Sequence, residues 1–355
     1  MKNKDNHNFK FIDLFAGIGG FRKAFDKKGF QCVFSSEINQ ACKEVYRTNY
    51  GEEPFGDISK KNSLEIPDHD VLVGGFPCQP FSICGKRRGF DDTRGTLFFY
   101  IKEIIKDKQP KVVLLENVKH LIHHNNGDTL RIILKSIEDL GYFVKYKLIN
   151  SVNFGVPQNR ERLIIVATRN KPFDFNSLKY SHKTTILKDF LDKEGDFEFL
   201  DESEYTLIEN PRKQKSGLIF AGYRNKGMWK TGIRPNTQHL SRVHRQPNRI
   251  YSDLGVHPTI PSQETAGRFF IYLTDQKRVR KLTLNECYKI MGFPANFVKH
   301  SSKAECYKQI GNSVCIPMIE SIAESILNNN LLLKSNESQR KIIRVISEQQ
   351  QFAFA

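Results

Sequence analysis

Phe9-Lys10-Phe11-Ile12-Asp13-Leu14-Phe15-Ala16-Gly17-Ile18-Gly19-Gly20-Phe21-Arg22 holds a short apolar strand, a glycine-rich turn and the start of a helix. Phe9 to Leu14 form the strand; Phe21, Ala24 and Phe25 fall on one face of the helix, which Gly29 stops. A strand, glycine turn and helix in immediate succession open a doubly wound nucleotide-binding fold. The spacing is G-x-G-G and not the G-x-G-x-x-G of dinucleotide enzymes, which disfavours a nicotinamide dehydrogenase. Gly17, Gly19 and Gly20 let the backbone approach a ligand where a Cβ would clash. A second strand, Phe30 to Ser36, ends in Glu37, seventeen residues beyond Gly20. An acidic residue there accepts from both ribose hydroxyls of an adenosine.

Outward from this unit the strand and helix pattern continues. A helix from Ala41 to Asn49 precedes Gly56-Asp57-Ile58, whose carboxylate suits an adenine amino group. The apolar run Val71 to Val73 is a buried strand that Gly74-Gly75 are expected to stop. Cys78 follows between Pro77 and Pro80, on a stiff turn at the end of a parallel strand, where open α/β sheets bind ligands. A helix from Gly95 to Asp107 leads to a strand, Val112 to Leu115, ending at Glu116-Asn117-Val118, which points a second functional group toward the Cys78 end. After a helix from Thr129 to Leu140, strands Tyr142–Ile149 and Arg162–Thr168 flank Gln158-Asn159-Arg160-Glu161-Arg162, which in extended form sends both cations to one face. His120, His123 and His124 have no acidic or cysteine partner nearby, so no metal is expected.

The chain has 355 residues, 39% hydrophobic, with 55 Lys+Arg against 39 Asp+Glu and a net charge of +16. That excess points to a polyanion, nucleic acid first. The polar start, Met1 to Lys10, lacks the apolar core of a signal peptide, and no run suggests a membrane span. Seven scattered cysteines without a C-x-x-C pair fit neither a disulfide framework nor zinc, so a reduced, cytoplasmic setting is expected. From Asn210 to Ser252 there is no Asp or Glu but there are ten Lys and Arg, interleaved with Tyr, Trp, Gln, Asn and His. That composition, without helical periodicity, suits base and phosphate contacts. Lys86, Arg87 and Arg88 form a second basic, glycine-flanked loop. Leu284 to Pro294 restore an ordered pattern, Gln309 to Val314 are expected to open a last helix over Pro317–Leu327, and the residues after Asn330 look like a tail.

Methylating a cytosine at C5 needs covalent help, because C5 is a poor nucleophile. A thiolate adding to C6, with a carboxyl at N3, makes C5 nucleophilic enough to take a sulfonium methyl. Cys78, Glu116, Arg160, Arg162 and the Gly17–Glu37 unit supply that set in strand order, and cations near a cysteine raise its thiolate fraction. Here the chain closely resembles the bacterial DNA (cytosine-5)-methyltransferases of restriction–modification systems. The matching stretches are D-L-F-A-G-I-G-G-F-R (13–22), G-D-I (56–58), G-G-F-P-C-Q-P-F-S (74–82), E-N-V (116–118), Q-N-R-E-R (158–162), R-K-L-T…M-G-F-P (280–294) and G-N-S-V (311–314). Their order along nearly the whole chain is far more specific than any one of them.

The resemblance implies an α/β, Rossmann-like S-adenosylmethionine-dependent methyltransferase domain with a smaller, irregular target recognition domain. It implies a catalytic part over 1–175, recognition over 176–283, a hinge over 284–310, and the C-terminal catalytic part with the tail over 311–355. Cys78 is then the nucleophile and Glu116 the N3 partner, with Arg160 and Arg162 positioning cytosine and carboxylate. Phe15, Gly17, Gly19, Gly20, Glu37 and Ile38 would line the cofactor site, with Asp57, Ile58, Pro77, Leu97, Asn312 and Ser313. DNA contacts fall to Lys86, Arg87, Arg88, Arg224, Arg234, Arg242, Arg245, Arg249 and Thr259, the last in a Thr-Ile pair where the family has Thr-Leu. The loop 84–93 would be a mobile lid over a flipped-out base. The implied partners are S-adenosyl-L-methionine, duplex DNA and a restriction endonuclease sharing the site, around a monomer. The Cys-Phe-Thr signature of the tRNA-modifying branch is missing. Retention of the catalytic set argues against a catalytically dead DNA-binding relative.

Overall fold

Alternating apolar residues on the strands set the layers. A computed structural model describes residues 9–77, 97–183, 185–225, 237, 239–240, 243–264 and 267–333. The first half runs β1 (Lys10–Leu14), α1 (Gly20–Lys27), β2 (Gln31–Ser36), α2 (Gln40–Tyr50), β3 (Val71–Gly75), α3 (Leu97–Lys108), β4 (Val112–Val118) and α4 (Asp128–Glu138). Then come β5 (Phe143–Asn150), β6 (Gln158–Asn159), β7 (Glu161–Thr168), β8 (Tyr205–Leu207), β9 (Phe220–Arg224), β10 (Arg249–Ser252), β11 (His257–Pro258), β12 (Phe270–Leu273) and β13 (Arg278–Lys281). Helices α5 (Leu284–Ile290), α6 (Lys303–Asn312) and α7 (Ile316–Asn328) complete the described chain.

Six strands form the main sheet in the order β2-β1-β3-β4-β7-β5. β2, β1, β3 and β4 are parallel, while β7 is antiparallel to both β4 and β5. Val71 and Val73 enter one core and Leu72 the other; Val112 and Leu114 oppose Val113 and Leu115 in the same way. Successive side chains leave a strand on opposite faces, so two helical layers are required. Helices α1, α5, α6 and α7 cover the first face, and α3 and α4 the second. This is the Rossmann-like α/β architecture expected from the opening stretch. Strand order reverses beside β1, with β2 on one side and β3 on the other, so the crevice lies at the C-terminal ends of β1 and β3.

Three local expectations need correcting. Gly74 and Gly75 do not stop β3; they stay extended and pair with Leu115 and Glu116. Neither has a positive φ, and a Cβ on Gly74 would sit 3.2 Å from the Leu14 carbonyl oxygen, so Gly74 serves close strand packing. Glu116 consequently lies inside β4 and not beyond its end. Gln309 to Asn312 close α6 and do not open α7. Helix α6 is weakly marked in the sequence, because Cys306, Tyr307 and Ile310, which bury in the main core, stand in a short stretch that is otherwise mostly polar and ends in Gly-Asn. By length and composition the run 303–328 could cross a membrane, but 67% of its most apolar window is buried inside the protein.

The second sheet, in the order β13-β12-β10-β9-β8, accounts for much of the expected recognition segment. No α-helix occurs between 169 and 283 among the described residues. Its own core is small, built on Tyr205, Ile250, Phe270 and Val279. Phe173, Phe175, Leu178 and Leu187, by contrast, pack into the main core. A two-stranded pairing of β6 with β11 joins the halves next to Arg160.

One buried ion pair ties β13 to α5. Arg280 meets Glu286 at 2.8 and 2.6 Å, and neither side chain is more than 2% exposed. Glu286 also accepts from Thr283 N and Asp192 N, both at 2.8 Å. Removing one partner strands the other charge in a dry interior. Glu286→Ala is therefore expected to lower unfolding free energy by about 3–5 kcal/mol, read by urea denaturation. A loss below about 1 kcal/mol would show the pair to be solvated.

Candidate active site

The turn after β1 is shaped by three left-handed residues: Phe15 (φ 56°), Gly17 (φ 56°) and Gly19 (φ 80°). The glycines have different duties. Among the described residues a Cβ on Gly17 would meet nothing within 4 Å, so its side faces open space. One on Gly19 would lie 2.4 Å from the Tyr50 ring, and one on Gly20 would lie 2.7 Å from Ser313 Oγ. At Gly19 and Gly20 a side chain is excluded by the protein itself, whereas the Cβ position of Gly17 is open.

Glu37, at the end of β2, is held by two backbone donors. Gly17 N donates to Oε2 at 2.8 Å and Asn39 N to Oε1 at 2.7 Å. The carboxylate is thereby oriented while its remaining lone pairs stay available. Beside it Ile38 is 73% exposed and presents an apolar side chain to the same cavity. Asp57 accepts from Ser59 N at 3.0 Å, and its hydrogen bonds with Ser59 hold it below the usual carboxylate range.

These groups border a cavity of about 820 Å³ that also reaches the ends of β3 and β4. Phe15, Gly17, Gly20, Glu37 and Ile38 line it, as do Asp57, Ile58, Pro77, Leu97, Asn312 and Ser313. Gly19 does not, because Tyr50 occupies its open side. Asn39, Cys42, Tyr100, Asn117, Lys308 and Gln309 line it as well and were not chosen from the sequence. Asn117 and Gln309 had a signal there, the first in the Glu-Asn-Val stretch and the second in the stretch that runs into Gly-Asn-Ser-Val.

At the far end of the same cavity stand Glu116, Arg160 and Arg162. Arg162 Nε donates to Glu116 Oε1 at 2.8 Å, with both side chains about one-tenth exposed. Arg160 is differently employed. Its Nη2 donates to the carbonyls of Gly311 at 2.9 Å and Ser313 at 2.7 Å, and Nη1 to that of Ile260 at 3.5 Å. Burial first, then the Arg162 charge, pull its pKa down to about 9, which leaves it protonated at neutral pH. Arg160 thus fastens the segments around Ile260 and Ser313 to β7, and only Arg162 reaches the carboxylate. Asn117 Nδ2 donates to the Phe76 carbonyl at 2.8 Å, fixing the chain two residues before Cys78. Cys78, Lys86, Arg87, Arg88, Arg234, Arg242 and the loop 84–93 lie outside the described residues.

Of the other basic candidates, Arg224 stacks over Phe270 at 4.5 Å and borders a separate cavity of about 340 Å³. Arg245 is exposed, and Arg249 Nε donates to the His244 carbonyl at 3.0 Å. Thr259 Oγ1 donates to the Asn159 carbonyl at 2.9 Å, beside Arg160.

Asp13, under the glycine turn, is fully buried, and among the described residues no side chain hydrogen-bonds its carboxylate. Burial pushes its pKa up to about 8, against the opposing pull of Arg22. The folded state then holds a proton that the unfolded chain releases near pH 4, so this group lowers stability progressively as pH rises from about 4 to about 8. Asp13→Asn is expected to raise Tm at pH 8 far more than at pH 5, measured by calorimetry. An equal gain at both would mean that Asp13 does not titrate in that window.

An open α/β sheet with one cavity at the point where its strand order reverses, an oriented carboxylate after β2 at one end and a carboxylate–guanidinium pair at the other, is the frame of an α/β enzyme. The C-5 cytosine-specific DNA methylase family pattern matches residues 9–328, and the chain belongs to that family. It is a DNA cytosine-5 methyltransferase. It is 38% identical over 344 residues to the type II methyltransferase M.HhaI of Haemophilus parahaemolyticus, covering 92% of this chain and 96% of that one. With M.NgoBI of Neisseria gonorrhoeae it shares 41% over 313 residues, covering 88% and 91%. In fold it is similar to the S. pombe Dnmt2 methyltransferase, with a TM-score of 0.64 at 19% identity over 91% of this chain and 100% of that one.

Proposed function

We propose that the chain methylates C5 of a flipped-out cytosine in a specific short duplex, through a bond between Cys78 and C6, as the modification enzyme of a restriction–modification system. One observation carries the reading: Glu37 with Gly17 and Glu116 with Arg162 border a single cavity, so cofactor and base would meet inside it. The fit to S-adenosyl-L-methionine rests on the open side of Gly17, the oriented Glu37 carboxylate and the bare Ile38 side chain. When bound, that cofactor supplies a sulfonium methyl group and leaves as S-adenosyl-L-homocysteine.

The protein's own groups then have distinct tasks. The Cys78 sulfur forms a bond to C6, and the displaced electron pair makes C5 nucleophilic. Glu116 binds N3 as charge develops there, held in place by Arg162. Once C5 carries the methyl group, a base from solvent takes its proton, the C–H electron pair re-forms the C5–C6 double bond, and the C6–sulfur bond breaks to restore the thiolate. A duplex conceals C5 and C6, so the base must leave the stack to reach this cavity. Residues 1–175 and 311–355 would carry this chemistry, 176–283 the recognition and 284–310 the hinge between them. Bisulfite sequencing of plasmid from cells expressing the chain tests the reading. Protection of one cytosine in one recurring sequence is expected; unprotected plasmid with methylated tRNA would replace it.

A further inference from the structure

Arg268 has φ 71° and directly follows Gly267 at φ 70°. Left-handed backbone disfavours a residue with a Cβ, and a non-glycine kept there often serves a functional site. The turn is clamped, since a Cβ on Gly267 would lie 1.9 Å from Pro247 Cα. Strands β10 and β12 run parallel with Ile250 opposite Phe270, so Arg249 and Arg268 stand at neighbouring strand starts. Backbone carbonyls hold both: Arg249 Nε donates to His244 O at 3.0 Å, and Arg268 Nη1 to Thr259 O at 3.3 Å. Among the described residues neither guanidinium pairs with a carboxylate. Burial foremost, and the Arg249 charge with it, push the Arg268 guanidinium down. Thr259 leads to the catalytic strand, because its hydroxyl donates to Asn159 O. Two guanidiniums at neighbouring strand starts, each with N–H groups beyond the one given to a backbone carbonyl and no carboxylate partner among the described residues, suit a phosphate, which a guanidinium can grip in bidentate fashion.

We propose that Arg268 and Arg249 clamp one phosphate of the DNA backbone and so set the second sheet at a fixed height over the duplex. The proposal rests on residues 176–283 facing DNA. Its test measures affinity of full-length Arg268→Gly and Arg268→Lys for the duplex that bisulfite mapping identifies, and for a scrambled duplex of equal length, over a salt series. Glycine relieves the left-handed turn, so Arg268→Gly should keep or raise Tm. It should weaken both duplexes alike by about 10-fold and lower the slope of log K against log salt by about one. Arg268→Lys, which keeps charge but loses the fork, should fall between. Wild-type affinity in a folded Arg268→Gly would overturn the clamp, and a loss confined to the mapped sequence would make Arg268 a base reader instead. Exchange of residues 176–283 for those of a relative separates the two levels. A moved methylation site with unchanged Arg268→Gly affinity removes the clamp alone; an unmoved site removes the reading beneath it.

Discussion

Cys78→Ala is expected to lose methyl transfer by at least about 10⁴-fold while still binding duplex DNA. Alanine offers no atom to add to C6, and without that addition C5 stays a poor nucleophile. Cys78→Ser should fare little better, since a serine hydroxyl is not ionised near neutral pH and no general base is evident in the surrounding sequence. The strand leading to this position keeps its own anchor, the Asn117 to Phe76 hydrogen bond, so the defect should be chemical and not structural. Tritiated-methyl incorporation by Cys78→Ala at a few per cent of the parent rate would end the covalent mechanism. A duplex carrying 5-fluorocytosine should trap a covalent adduct at Cys78, because fluorine cannot depart as a proton does.

Glu116→Gln should slow turnover by about 10²-fold, a smaller loss than at Cys78. The amide oxygen can still accept from Arg162 Nε, so the pair's geometry at 2.8 Å has a neutral substitute and Tm should change little. What disappears is the carboxyl's ability to share or give a proton at N3. Arg162→Ala should show the complementary pattern, with Glu116 present but released from its partner. Single-turnover rates across about pH 6 to 8, bracketing neutral pH, measure the effect. An unchanged rate throughout would remove any proton or charge role from Glu116.

Much of this was legible in the linear chain because it is local. The strand–turn–helix of residues 9–28 follows from alternation, glycine placement and helical spacing, all within reach of neighbouring residues. Glu37 at the end of β2 and Glu116 on β4 are carried to one edge by parallel pairing, which the succession of strands and helices already implied. Other features depend on residues far apart in sequence, and no local pattern encodes them. Arg160 is one of two cations in a motif until its guanidinium meets carbonyls 151 and 153 residues away, which makes it a fastening and leaves Arg162 to face Glu116. Gly17, Gly19 and Gly20 are alike on paper; Tyr50 and Ser313 arrive from distant segments and leave only Gly17 open. The same holds for Arg224 and Arg249, equal members of a basic stretch until one stacks on Phe270 and the other comes to rest beside Arg268. Periodicity and turn chemistry act over a few residues and determined the succession of strands and helices, while the ordered motifs, through their resemblance to the cytosine-5 methyltransferases, supplied the list of candidate groups. Close packing acts across the whole chain, and it alone decided which of them face the cavity and which hold it together.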